Sequence, residues 1–384
     1  MTSQPPNIEP ALKALADALH GEGPAVELSA DADGNLLVSA VQTPGYEDAV
    51  VVVRTSGSTG TPKATVLTVD ALAASSVATA FALKGEGQWL LALPVQYVAG
   101  VQVLVRSLFA GTRPWAMDLS GGFTPEAFTG AALEMTDKIR FTSLVPTQLQ
   151  RLLDSPSAET LAVLRRFNGI LLGGGPAAPG LLAAARDAGL RVVTTYGSAE
   201  TCGGCVYDGV PLEDVLVRVE ADGRILLGGA TIAAGYLDAP ELTAEAFVED
   251  DGVRWYRTSD LGEVDADGKL TVLGRADDVV ITGGVKVSAA HVQAELEKLD
   301  GVLAAFVAGV PSAEWGQALA AYVALADSSP GGIRDFTSGA AWAPALGALA
   351  PKTVLAAGEL LMLPNGKPDR LAMSVRLTEL HQGK

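Results

Sequence analysis

Ala49-Val50-Val51-Val52-Val53-Arg54-Thr55-Ser56-Gly57-Ser58-Thr59-Gly60-Thr61-Pro62-Lys63 sets an apolar, β-branched run against a turn of glycines and hydroxyls that closes on a lysine. The run predicts a strand ending in a Gly-rich turn. The turn has the chemistry of a phosphate site. Glycines let backbone N–H groups converge on an anion, hydroxyls add donors, and the lysine adds a charge that is weakly screened at short range. It is not a Walker A loop, which needs glycine where Pro62 stands. A solvated Ser/Gly-rich loop is the plain alternative, and it gives no reason for a terminal Pro-Lys.

Outward from this segment, Gly169-Ile170-Leu171-Leu172 before Gly173 to Gly175 repeats the strand-then-glycine pattern. Amphipathic stretches at Pro179 to Ala188, and at Thr147 to Leu153 with Leu149, Leu152 and Leu153 on one face, predict helices between strands, hence an α/β arrangement. Asp222-Gly223 and Asp267-Gly268 each separate short apolar runs, which predicts β-hairpins closed by two-residue type I′ turns. The charged string Arg275-Ala276-Asp277-Asp278 precedes a further strand, Val279 to Thr282, and a helix on which Val292, Leu296 and Leu299 share a face. A domain boundary is expected there. Asp327 to Gly339, rich in Ser, Pro and Gly, reads as a loop within the second domain.

Composition narrows the classes of function. A chain of 384 residues holds about two or three domains, and 48% hydrophobic residues exclude intrinsic disorder. With 44 acidic against 27 basic residues, the net charge of -17 repels nucleic-acid backbones and anionic lipid headgroups. Two cysteines exclude a disulfide-stapled scaffold, and His20, His291 and His381 are too few for a histidine-rich metal centre. The N-terminus lacks a basic segment followed by an apolar core, and no run of about 18 apolar residues occurs, so the expectation is a cytoplasmic protein without membrane insertion.

The phosphate turn resembles the signature of the adenylate-forming superfamily, which comprises acyl-CoA synthetases, adenylation domains and luciferases. Four further segments resemble that superfamily's motifs in its order: Tyr196-Gly197-Ser198-Ala199-Glu200-Thr201, Tyr256-Arg257-Thr258-Ser259-Asp260, Gly274-Arg275-Ala276-Asp277-Asp278 and Pro364-Asn365-Gly366-Lys367. The resemblance implies a large N-terminal α/β domain with mixed sheets (1–274), a hinge (275–278) turning at Asp277, and a small, mobile α+β C-terminal domain (279–384). It implies ATP, Mg²⁺ and CoA as the small molecules handled together with a carboxylic acid. A homo-oligomer is left open.

On this resemblance Lys367 bridges the carboxylate and the α-phosphate, where positive charge is needed as two anions meet. Glu200 is the Mg²⁺ ligand, a hard oxygen donor for an ion that keeps waters and binds substrate phosphates. Thr55, Ser56, Gly57, Ser58, Thr59, Gly60 and Lys63 cradle phosphates, with Ser198 and Thr201 as further donors. Gly173, Gly174, Gly175, Pro176, Tyr196 and Gly197 surround the adenine. Asp260 accepts the ribose hydroxyls, since a carboxylate has two acceptor oxygens, and Arg275 reinforces the ribose or phosphate contact. Gly283 and Gly284, lacking side chains, leave room for the pantetheine arm of CoA.

Leu93 to Gly100, Thr142 to Thr147 and Ile281 to Gly284 resemble the compact actinobacterial form of the 2-succinylbenzoate-CoA ligase family, although Gln96-Tyr97 departs from the superfamily's frequent aromatic-histidine pair and Ala64 from its glycine. This resemblance places Tyr97 and Gly100 at the acyl pocket. A substrate with two carboxylates needs one held while the other reacts, and Arg106 is the candidate; a snorkelling surface arginine is the alternative. Other ligases of the superfamily remain alternatives. From a different class, Gly173 to Ala178 approximates a Rossmann fingerprint, but no acidic residue ends the next strand at Tyr196. A nucleotide-binding module without turnover would not need Lys367. Cys202-Gly203-Gly204-Cys205 has C-x-x-C spacing but no partners for a four-thiolate zinc site, and is expected in an active-site loop wall.

Overall fold

The computed structural model describes residues 6–31, 36–55, 63–340, 342–363 and 368–383. The first predicted strand spans Ala49–Thr55 and pairs antiparallel with Lys63–Thr68, with Thr55 opposite Lys63. The phosphate turn thus joins two strands of a hairpin, and Lys63 opens a strand where the lysine of a Walker A loop would open a helix. Ser56, Gly57, Ser58, Thr59 and Gly60 lie outside the described residues, as does Lys367. Val26–Ala30 and Leu36–Ala40 extend this sheet on one side and Gly235–Tyr236 on the other.

The α/β pattern builds the second sheet. Its order is Val210–Pro211, Gly203–Tyr207, Val192–Ser198, Gly169–Leu172, Arg140–Leu144, Gln88–Leu91 and Trp115–Ala116. Neighbours from Val192–Ser198 to Trp115–Ala116 are parallel. Every residue of Gly169–Leu172, Arg140–Leu144 and Gln88–Leu91 is buried, as expected where crossover helices cover both faces. Among those helices are Val98–Phe109, Pro146–Leu153 and Pro179–Asp187. Phe128 and Phe167, fully buried with ring centroids 5.9 Å apart, anchor the core on one side of this sheet.

A third, antiparallel sheet comprises Val215–Val219, Arg224–Gly229, Val253–Val264, Phe247–Asp250 and Leu270–Arg275. Both Asp-Gly hairpins form, but with three-residue loops. The Glu220 N–H donates to the Arg224 carbonyl and the Asp265 N–H to the Lys269 carbonyl, and of each Asp-Gly pair only the glycine, Gly223 (φ +87°) or Gly268 (φ +81°), has positive φ. A type I′ turn needs both central residues there; a type I turn followed by a left-handed glycine does not. Two-residue turns with both φ positive occur instead at Asp208-Gly209 (+49° and +82°), at Asp251-Gly252 (+49° and +73°) and at Gly283-Gly284 (+56° and +80°), the last between Val279–Thr282 and Val285–Ser288.

Those two strands belong to a fourth sheet, in the order Val285–Ser288, Val279–Thr282, Gly316–Leu325 and Val302–Ser312, with Thr353–Ala357 parallel to Gly316–Leu325. Alternation along Gly316–Leu325 sends Leu319, Ala321 and Val323 to one face, under helix Ala289–Leu296, and Ala320, Tyr322 and Ala324 to the other, under helix Arg370–His381. The fold is therefore α/β in its larger N-terminal part and α+β in its smaller C-terminal part. Two local expectations are corrected here. Helix Ala289–Leu296 ends before Leu299, which packs on the same cluster from the following turn. Asp327 to Gly339 holds a helix, Pro330–Thr337: the Ser329 side chain accepts the Gly332 N–H at 3.2 Å and Pro330 takes the first helical position, so Ser-Pro is a cap rather than a breaker. Among the described residues no helix is long and apolar enough to cross a membrane.

Candidate active site

The parallel strands end together, and a cavity of about 330 Å³ opens over their C-terminal ends, the edge where open α/β sheets bind ligands. Pro94, Leu144 and Gly173, each at or just beyond a strand end, form its floor. Thr55 and Lys63 enter from the first sheet, and Asp260 and Arg275 from the third, where they face each other across paired strands. Tyr97, Arg106, Gly174, Tyr196, Gly197, Ser198 and Glu200 complete the expected residues that line it. The structure thus gathers most of the described candidates from segments far apart in the chain.

Others lie elsewhere. Gly175, Pro176, Gly283 and Gly284 are not in the cavity wall. Gly100 sits in the first turn of helix Val98–Phe109 behind the wall, and a Cβ there would come 2.3 Å from the Pro94 carbonyl oxygen, so glycine lets the helix start against the floor. Thr201 is fully buried: its Oγ1 accepts the Ser198 N–H at 2.9 Å and donates to the Gly203 carbonyl at 2.7 Å, which fixes the turn that carries Glu200. Asp277 lies in a 3-10 turn, Ala276–Asp278. The C-x-x-C segment is a strand start. Cys202 and Cys205 are free and completely buried in the core, and only Gly203 and Gly204 between them reach the cavity. Burial pushes the Cys205 thiol up to about 12 and moves Cys202 further in the same direction.

Two carboxylates organise the polar side of the cavity. Tyr196 donates its phenol proton to Asp260 Oδ2 at 2.7 Å. The Thr258 hydroxyl accepts the Asp260 N–H at 3.0 Å and donates to the Ile225 carbonyl at 2.8 Å, holding this part of the strand in register. Glu200 is 6% exposed and accepts the Tyr236 phenol proton on Oε1 at 2.8 Å. Burial, and then the adjacent carboxylates, raise the phenols of Tyr196, Tyr236 and Tyr256 well above their ordinary value, so all three remain donors. Among the described residues no cluster of three or more His, Cys, Asp or Glu could hold a metal. A lone carboxylate facing a cavity fits Mg²⁺, which takes one or two protein oxygens and completes its shell with phosphates and water. The buried Ser198 Oγ in the same wall has no hydrogen-bond partner among the described residues, as expected of a donor aimed at a ligand.

Arg106 is 6% exposed, which excludes the surface alternative; its guanidinium carbon is 5.3 Å from the Trp89 ring centroid and its Nε lacks a partner among the described residues. One turn earlier, Gln102 donates to the Cys202 carbonyl at 2.5 Å and to Ser75 Oγ at 3.2 Å, while its buried Oε1 has no partner among the described residues. Sequence reading missed Gln102 and Tyr236. For Gln102, a polar residue inside the apolar run Val98 to Val105 is the available signal; for Tyr236, in a two-residue strand, no periodicity exists to read.

Residues 5–237 match the family of AMP-binding enzymes, and the chain belongs to that family. A probable 2-succinylbenzoate–CoA ligase of Mycobacterium tuberculosis is 41% identical over 323 residues, covering 83% of this chain and 82% of that protein. The 2-succinylbenzoate–CoA ligase of Enterococcus faecalis is 31% identical over 307 residues, which cover 73% of this chain and 61% of the relative. Among solved structures, o-succinylbenzoate CoA synthetase of Bacillus subtilis in complex with the acyl-adenylate intermediate OSB-AMP aligns with a TM-score of 0.70 and 26% identity over 88% of this chain and 70% of that one. ATP-bound MatB of Rhodopseudomonas palustris aligns with a TM-score of 0.74 and 25% identity over 89% of this chain and 71% of that one.

Proposed function

We propose that this chain is an AMP-forming acid–thiol ligase that joins 2-succinylbenzoate to CoA through an acyl-adenylate, with ATP as co-substrate and Mg²⁺ as its counter-ion, in menaquinone biosynthesis in the cytoplasm. One observation carries the reading: a single cavity is lined both by carboxylates and donors suited to a nucleotide and by a buried arginine that has no carboxylate partner among the described residues. The relatives' names agree with it.

In this reading Asp260, oriented by Tyr196, accepts ribose hydroxyls, Arg275 beside it adds charge, and Ser198 and Lys63 reach the phosphates. Glu200 holds Mg²⁺, which neutralises phosphate charge when bound. Arg106 holds the ring carboxylate of the acid, which leaves the succinyl carboxylate free to attack the α-phosphate; Lys367 supplies the charge where those two anions meet. Residues 1–274 form the nucleotide- and acyl-binding unit and 279–384 a mobile unit turning at Asp277. Rotation replaces Lys367 with the Gly283-Gly284 turn, and the CoA thiolate displaces AMP.

The test is ATP-dependent CoA ester formation across a panel of carboxylic acids, read by mass. A 2-succinylbenzoyl-CoA product with AMP and pyrophosphate is expected. ADP with phosphate, or preference for a long-chain fatty acid, overturns the assignment.

A further inference from the structure

Tyr236 lies outside the segments that resemble the superfamily's motifs, yet it sits where three sheets converge on Glu200. The strand Gly235–Tyr236 pairs with Lys63–Thr68 so that Tyr236 faces Thr65. Alternation places Lys63, two residues from Thr65, on the same face, within diagonal reach of Tyr236, and the Lys63 ammonium lies 5.0 Å from the centroid of the Tyr236 ring. The phenol, 1% exposed, donates to Glu200. The same segment grips the residue a second time, because the Ala233 N–H donates to the Glu200 carbonyl at 2.9 Å. Arg254 braces the segment from outside by donating to the carbonyls of Ala233 (3.1 Å) and Ala234 (2.5 Å).

We propose that Tyr236 is a positioning residue for the nucleotide's divalent cation: its hydroxyl fixes the Glu200 carboxylate while its ring seats Lys63, so that the cation ligand and the phosphate lysine are set by one side chain. The inference rests on the reading of Glu200 as the Mg²⁺ ligand. A carboxylate with one oxygen held by a phenol points the other in a fixed direction. Without that donor the side chain regains rotamer freedom, which must be lost again when the ion binds.

Tyr236→Phe removes the hydroxyl and keeps the ring over which Lys63 lies. The experiment measures ATP binding by calorimetry across a Mg²⁺ titration and in EDTA, without acid or CoA. The Mg²⁺ concentration for half-maximal enhancement of ATP binding is expected to rise about tenfold, within the range for lost partners of metal ligands, while the affinity in EDTA stays within about twofold. An unmoved Mg²⁺ midpoint, or an equal loss with and without Mg²⁺, overturns the proposal and leaves Tyr236 a packing residue. Glu200→Gln separates the two readings. If it too leaves the midpoint unmoved, the metal assignment of Glu200 has failed, and this proposal with it; if it shifts the midpoint and Tyr236→Phe does not, the positioning role alone fails. Should Tyr236→Phe not fold, Arg254→Met, which loosens the same segment, must raise the midpoint for the proposal to stand.

Discussion

Replacing Arg106 by Met tests the acyl side of the cavity with two effects of opposite sign. Among the described residues no carboxylate pairs with Arg106, its Nε is unpartnered, and the guanidinium is 6% exposed. Removing one partner of a buried, hydrogen-bonded charge pair costs about 2–5 kcal/mol of binding, and about 1.4 kcal/mol is tenfold. The wild-type protein should therefore prefer 2-succinylbenzoate over 4-oxo-4-phenylbutanoate, which lacks only the ring carboxylate, by about 30-fold or more in kcat/KM. In Arg106→Met the preference should shrink to within about threefold, with the KM for ATP unchanged. The free protein should not lose stability. Exchanging an unpaired buried cation for an apolar chain of similar volume is favourable or neutral, by analogy with buried ion pairs whose replacement gives about 1–4 kcal/mol. The lost contact with Trp89 offsets about 0.5–2 kcal/mol of that. Steady-state pyrophosphate release with both acids, beside a thermal melt, measures all of this. Equal losses for the two acids, or a KM for ATP that rises with that for the acid, would refute the assignment of Arg106 to the second carboxylate.

Three other outcomes are expected. Lys367→Ala should abolish pyrophosphate release yet spare thioester formation from supplied acyl-adenylate, because its charge is needed only in the first transition state; equal loss in both half-reactions would contradict that role. Asp277→Pro fixes φ near about -65° and restricts Ala276, so single-turnover pyrophosphate release should persist while transfer to CoA falls by orders of magnitude, and survival of both half-reactions would remove the rotation model. Stability should fall as pH rises above 9: the buried thiol of Cys205, raised from 9.0 to about 12, keeps its proton in the folded state while the unfolded chain releases it. The slope from that one thiol is at most about 1.4 kcal/mol per pH unit. Denaturant melts of Cys205→Ala against wild type should show the slope reduced, and an identical slope would mean that the thiol does not contribute.

The segments whose function lies in their own residues were legible in the sequence. Ala49 to Val53 and Gly169 to Leu172 announce buried strands because both faces of each are covered and only apolar side chains fit there, and the glycines that follow Gly169 to Leu172 mark the edge where the cavity opens. Glu200, Asp260 and Arg275 could be named because each belongs to a segment with a recognisable pattern. Turn geometry was less legible. Asp-Gly is compatible with a two-residue or a three-residue loop, and the choice depends on strand register, which is set by which side chains meet the core. Ser329-Pro330 was misread for a related reason: Pro punctuates loops and also starts helices, and only the hydrogen bond from the Gly332 N–H to the Ser329 side chain distinguishes the two. Tyr236 could not be read at all, since its role comes from pairing with a strand that precedes it by most of a domain.

Cys202-Gly203-Gly204-Cys205 shows how spacing can mislead about which residues of a motif matter. A C-x-x-C pair suggests a reactive dithiol when its first cysteine is exposed at a helix start. Here Cys202 adopts a left-handed conformation (φ 51°) before the strand, and the strand bulges after Gly204. Those two irregularities put both sulfurs in the core, where burial raises both thiols and leaves almost no thiolate near neutral pH. They also bring Gly203 and Gly204 to the cavity, where space is short: a Cβ on Gly204 would come 2.9 Å from the Cβ of Thr195. In the same turn Cys202 gives its carbonyl to Gln102, one turn of helix before Arg106. The thiols thus fill the layer behind the cavity, and it is the glycines between them and the backbone of Cys202 that shape the cavity's wall and brace the helix carrying Arg106.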